Sequence, residues 1–279
     1  MGRAAADRGP AATQDATMPY APVNGIDLYY EEHGSGPAIL FAHGQGGNHL
    51  SWWQQVPFFR QWYRCITFDH RAFGFSRDGD PPGGRMQFVS DALALADRLG
   101  IDRFFVVAHS MGGRTGAGLI RRSPERVRAA VFSGTPAGAT DRSVRALQEA
   151  YAATLPPGST LLRRALRPAF VHQRPDLAFL YRQIQALNPK RPRDFLAPPP
   201  GWSGNFTAYI AETDVPVLYL AGADDAVTPA HIVAHAAALV RGARFEPIPE
   251  AGHSVYFEQP EAFNAAVLAF LREAEAAGR

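Results

Sequence analysis

The feature that most narrows what this chain can fold into is an alternation. Short, compact and mainly apolar runs are separated by longer stretches in which apolar residues recur every three or four positions. A strand that is apolar at every position must be covered on both faces, and stretches of helical period between such strands supply the cover. The runs are Ala38 to Ala42, Arg64 to Phe68, Phe104 to Ala108, Val127 to Phe132, Pro216 to Ala221 and Arg244 to Ile248, while Ile26 to Glu32 alternates as an edge strand does. Helical period marks Phe88 to Leu99, closed by Gly100, and Gly113 to Arg122, His231 to Val240 and Pro260 to Leu271. The pattern predicts an α/β protein: a mainly parallel, twisted sheet of about eight strands with helices on both faces.

One region breaks the rhythm. Between the strand ending near Ser133 and the one starting at Pro216 no strand pattern appears, and a structureless loop of that length is improbable in a folded domain. Val144 to Thr154, Leu161 to Phe170 and Asp176 to Leu187 have helical character and are separated by proline-bearing breaks. We therefore expect a helical insertion at 137–212 acting as a cap, flanked by a core formed by 19–136 and 213–279. Residues 1–18 have no periodicity and are expected to be a disordered tail. The insertion carries 10 basic and 5 acidic side chains, whereas the whole chain is near neutral at +2.

Composition excludes several classes. With 46% hydrophobic and 19% charged residues the chain should bury a core. No basic stripe or block of like charges is present to hold nucleic acid, and all basic residues but Lys190 are arginine. The single cysteine, Cys65, lies in an apolar run and cannot close an intrachain disulfide. No stretch approaches the ~20 apolar residues of a membrane span, and the first residues show no apolar leader segment, so a cytoplasmic protein is expected.

Chemistry is concentrated at Phe105-Val106-Val107-Ala108-His109-Ser110-Met111-Gly112-Gly113, where an apolar strand runs through a serine into a helix. A nucleophilic serine on a sharp strand-to-helix turn needs small neighbours two positions away, and Ala108 and Gly112 meet that demand. A serine hydroxyl also needs a general base, itself oriented by a carboxylate. Asp224 and Asp225 follow the strand ending at Ala221, and His253 follows the strand ending near Ile248, giving the chain order Ser, Asp, His. The glycines of His43-Gly44-Gln45-Gly46-Gly47 complete neither a dinucleotide fingerprint nor a lysine-bearing phosphate loop. His231 and His235 have no third ligand in view. Neither a metal nor a cofactor is expected.

Over nearly all of residues 20–273 the sequence resembles a capped, esterase- and lipase-like α/β-hydrolase. The resemblance rests on His43 to Gly47, on Asp69-His70-Arg71-Ala72-Phe73-Gly74-Phe75-Ser76, on Ala108 to Gly113, and on Gly222 to Pro229 with Ala251-Gly252-His253, in that order. Ala72 stands where the family usually has glycine. The family spacing selects Asp225 over Asp224, which implies a triad of Ser110, Asp225 and His253. It also implies an oxyanion hole made by the backbone N–H groups of Met111 and Gln45.

The function implied is hydrolysis of an apolar carboxylic ester or lactone, a small-molecule substrate, through an acyl-enzyme. Serine rather than aspartate at position 110 argues against epoxide opening and dehalogenation. Carbon–carbon bond hydrolases and cofactor-free haloperoxidases or perhydrolases share the same triad and remain alternatives. A non-catalytic small-molecule receptor on this fold is a third reading, separable by turnover of an activated aryl ester. Candidate pocket residues are Gly44, His109, Trp52 and Trp53 near the elbow and the oxyanion loop, with Phe170, Trp202 and Phe206 in the insertion. Oligomeric state is not legible.

Overall fold

In the computed structural model, residues 19–139, 141–192, 194–197 and 206–279 are described, apart from the side chains of residues 162, 206 and 207. The tail expected at 1–18 lies outside the described residues. Eight strands form one sheet: β1 (Tyr20–Val23), β2 (Ile26–His33), β3 (Ala38–Ala42), β4 (Arg64–Phe68), β5 (Phe104–His109), β6 (Val127–Ser133), β7 (Val217–Gly222) and β8 (Arg244–Ile248). Their order across the sheet is β1-β2-β4-β3-β5-β6-β7-β8. β1 pairs antiparallel with β2 and β2 antiparallel with β4; all other pairings are parallel.

The apolar runs serve two cores because successive side chains of a strand point to opposite faces. Leu40, Val106 and Phe132 join one cluster with Leu95 and Leu119, whereas Ile39, Phe41, Phe105 and Val107 join the other with Trp52, Phe263 and Leu271. The covering helices are α1 (Gln55–Phe59), α2 (Phe88–Arg98), α3 (Gly112–Arg122), α9 (Ala230–Ala238) and α11 (Pro260–Ala276), with the short α10 (Val255–Glu258) before the last. α2 ends where Gly100, at a φ of 63°, turns the chain so that the Ile101 N–H reaches the Ala96 carbonyl at 2.9 Å.

Three departures from the expected pattern have local causes. β1 carries no strand signal in the sequence because it is four residues long and contains Pro22, which only an edge strand tolerates. What marks it is the following Asn24-Gly25, both at positive φ (45° and 78°), the pair that a tight hairpin turn requires. α11 runs on to Ala276, past the expected Leu271, because good helix formers continue and Ala274 stays on the buried face. Strand β8 is mostly exposed, since it is the sheet's outer edge.

Between β6 and β7 the chain forms α4 (Arg142–Ala153), α5 (Leu161–Arg164), α6 (Pro168–Gln173), α7 (Pro175–Ala186) and α8 (Phe206–Ile210). The single helix expected over Leu161 to Phe170 is two, because the residue before a proline is driven out of the helical region. Arg167, before Pro168, is extended at φ −62° and ψ 141°. No helix among the described residues is long and apolar enough to cross a membrane.

Candidate active site

Ser110 leaves β5 at a φ of 51°, a left-handed conformation that costs a residue with a side chain about 1–2 kcal/mol. Backbone bonds hold it there: its N–H donates to the Ser133 carbonyl at 2.9 Å, and its carbonyl accepts from the Gly113 N–H at 3.0 Å. The small neighbours are needed sterically. A Cβ on Gly112 would run into the carbonyl of Ala42, and one on Gly113 into the side chain of Thr135. α3 starts two residues after Ser110, so its partly positive N-terminus faces the region beside the hydroxyl.

The other two polar groups arrive on loops at the same edge of the sheet. Ser110 Oγ lies 2.9 Å from His253 Nε2, and His253 Nδ1 lies 2.9 Å from Asp225 Oδ2. Asp225 Oδ1 accepts the N–H groups of Val227 at 2.7 Å and Thr228 at 2.8 Å, which leaves Oδ2 for the imidazole. Asp225 and His253 are buried, whereas Ser110 is partly exposed. Gly222 allows the acid loop and the histidine loop to touch, because a Cβ there would strike the carbonyls of Ala251 and Gly252. Together these contacts put the hydroxyl within hydrogen-bond reach of an imidazole whose other nitrogen faces a carboxylate fixed in one orientation.

The loop that carries Gln45 is fixed from beneath. His43 Nδ1 donates to the Gly44 carbonyl at 2.8 Å while its Nε2 accepts the His70 N–H at 3.0 Å, the arrangement of a neutral ring. Burial pushes the His43 pKa down to about 4, so the ring stays neutral at ordinary pH. Gly44 passes close to the elbow: a Cβ there would stand 3.2 Å from the Ser110 Cβ. Among the described residues no acceptor pairs with the N–H of Gln45 or Met111. Ala72, which replaces the family's usual glycine, takes a φ of 64°, so the turn survives the substitution.

The cavity at Ser110 holds about 710 Å³ and includes Gln45, Met111, Thr135, Arg114 and Arg85 in its wall. Of the candidate pocket residues, Gly44, His109, Trp52, Trp53 and Phe170 do not stand in this wall. Trp52 is fully buried in the core against Phe41 and Tyr256, and Trp53 is 39% exposed beside Phe257. Phe170 also packs on Phe257, and His109 is buried against His253 and Tyr256. Gly44 lies next to Ser110 without lining the cavity. Trp202 and the side chain of Phe206 lie outside the described residues. Among the described residues the 137–212 stretch contributes Ala139, Arg145, Gln148 and Leu196 to the cavity wall, a mixed and basic lining where an apolar, aromatic one was expected. Arg114 was legible in principle, since it follows Ser110 by four positions, one turn into α3; Arg85, on a separate turn, had no local signal.

A family profile described as the alpha/beta hydrolase fold matches residues 37–260. The chain is 33% identical to the Mycobacterium tuberculosis protein named "Putative non-heme bromoperoxidase BpoC" over 268 residues, covering 90% of this chain and 100% of that one. It is 28% identical to the 3-oxoadipate enol-lactonase 2 of Acinetobacter baylyi, covering 93% and 94%. Among solved structures, a hydrolase from Pseudomonas aeruginosa superposes with a TM-score of 0.76 at 26% identity, over 92% of this chain and 99% of that one. The chain belongs to the α/β-hydrolase family.

Proposed function

We propose that this protein is a serine hydrolase that cleaves a carboxylic ester or lactone. The observation that carries the reading is the pair of 2.9 Å contacts linking Ser110, His253 and Asp225, with Ser110 held at a left-handed turn. Ser110 Oγ attacks the substrate carbonyl as His253 Nε2 takes its proton, and Asp225 orients and balances the imidazolium. The carbonyl oxygen, now negative, is received by the N–H groups of Met111 and Gln45, each of which contributes about 3–4 kcal/mol in comparable sites. Collapse expels the alcohol, which takes the proton from His253. Water, activated by the same ring, then releases the acid from Ser110. Residues 137–212 act as a cap over this site, and their Ala139 and Leu196 in the cavity wall support that role.

The relation to a protein named as a bromoperoxidase favours one second reading, in which hydrogen peroxide replaces water at the acyl-enzyme and yields a peracid. Both readings are tested by one assay. Purified protein is given a p-nitrophenyl ester, with and without peroxide. Release of p-nitrophenol with carboxylic acid as the only acyl product supports hydrolysis, peracid formation in preference to acid supports the second reading, and no turnover of any activated ester defeats both.

A further inference from the structure

The cavity beside Ser110 has an unbalanced charge. Arg85, Arg114, Arg121, Arg122 and Arg145 all line it, and no Asp or Glu does so among the described residues. Arg121 and Arg122 are otherwise engaged: Arg121 lies 3.5 Å from the centroid of the Tyr209 ring, and Arg122 donates to Ser90 Oγ at 2.7 Å. Arg114 differs. It is only partly exposed, and among the described residues its guanidinium makes no hydrogen bond or ion pair. Its own N–H bonds to the Met111 carbonyl at 3.1 Å, which places it one turn of α3 beyond the elbow. Helical side chains lean toward the helix N-terminus, so the Arg114 head is directed back toward Ser110.

Resting on the serine hydrolase reading, we propose that Arg114 and Arg85 form an anion subsite and that the substrate is an ester or lactone bearing a carboxylate. Two guanidinium groups sharing one cavity wall repel each other, an anion between them offsets that repulsion, and a planar carboxylate is the group their donor forks match. Burial lowers the pKa of Arg114, and burial together with Arg114 itself lowers that of Arg85 to about 10. Both remain cationic near neutral pH. With Ser110 and both cations in one cavity wall, a substrate seated on the serine can extend its carboxylate to them.

The test compares two p-nitrophenyl esters of equal chain length, the hexanoate and the adipate monoester, which differ by the terminal carboxylate. Wild-type protein should favour the adipate through a lower KM. In Arg114→Gln the ratio of kcat/KM for adipate over hexanoate should fall about 10- to 100-fold, the usual worth of a charge-assisted hydrogen bond. Arg114→Lys should recover part of the loss, and Arg85→Gln should lower the ratio in the same direction. A ratio within about twofold of wild type in both glutamine variants overturns the subsite while leaving the hydrolase reading standing, since hexanoate is still cleaved. If wild type cleaves neither ester, that reading fails, and calorimetric titration of the Ser110→Ala protein with monobutyl adipate decides the subsite by itself. Saturable binding that is lost on adding Arg114→Gln retains it; binding that is absent or indifferent to Arg114 rejects it.

Discussion

His253 Nδ1 stands 2.9 Å from Asp225 Oδ2, whereas the carboxylate one residue earlier, Asp224, points outward to Arg167 at 3.0 Å and is 56% exposed. Two neighbouring acids thus have separate surroundings. Asp225→Asn removes the charge that balances the imidazolium and favours the wrong tautomer, so kcat for an aryl ester should fall by about 10⁴-fold. Asp224→Asn loses only a solvent-exposed pair worth about 0–1 kcal/mol, and its kcat should stay within about threefold of wild type. Steady-state kinetics on both variants checks the assignment, and an equal loss in the two would overturn it.

On the serine hydrolase reading, Ser110→Ala should lower kcat by about 10⁶-fold, leaving about 10³–10⁴-fold catalysis over water from binding and backbone donors. Alanine meets the same left-handed turn as serine, and one hydrogen bond to His253 is lost. Stability should therefore shift by no more than about 1 kcal/mol. Urea titration followed by circular dichroism, alongside ester turnover, reads both quantities. Retained turnover with a native spectrum would exclude Ser110 as the nucleophile.

At Gly112 the cost is steric, because the obstacle is backbone. An added methyl group would meet the Ala42 carbonyl and lie close to the His43 oxygen, neither of which can rotate away. Gly112→Ala should destabilise the fold by about 1–3 kcal/mol, the range for overpacking a dense interior. It should also displace the elbow, lowering kcat. A denaturation midpoint equal to wild type would show that β3 can yield.

Glu258 supplies a pH dependence. It accepts from the Gly252 N–H at 3.1 Å and the Arg167 N–H at 3.2 Å, tying the histidine loop to the segment between α5 and α6. Burial pushes its pKa up to about 7 from 4.5, against the opposing pull of those donors and the Arg167 charge. The folded state therefore binds more protons than the unfolded state between these values. The stabilisation is fully present below about pH 4.5 and is lost as pH rises through about 7. The slope from this group approaches 1.4 kcal/mol per pH unit at most. Glu258→Gln should flatten the fall in unfolding free energy between these limits, as measured by denaturant titration at a series of pH values. An unchanged slope would show that Glu258 is ionised throughout.

The inner strands β3, β5 and β7 were legible because complete burial on two faces leaves an apolar run, and only local sequence is needed to write one. The elbow was legible for a similar reason: the left-handed turn at Ser110 demands small residues at fixed offsets, and Ala108 and Gly112 stand there. The chain order of Ser110, Asp225 and His253, each just past a strand, belongs to the sequence too. Their meeting at 2.9 Å belongs to the crossovers that set β3, β5, β6, β7 and β8 side by side. Tertiary structure alone decided what surrounds them. Trp52 and Phe170 are aromatic in the sequence whether they line a pocket or fill a core, and packing against Tyr256 and Phe257 put both in the core. Arg85 and Arg114 are 29 positions apart and share a cavity wall only because α2, which begins just after Arg85, packs against α3. Periodicity and turn sterics involve a few neighbours along the chain, whereas a cavity and its charge are sums over elements that meet only when the chain has folded.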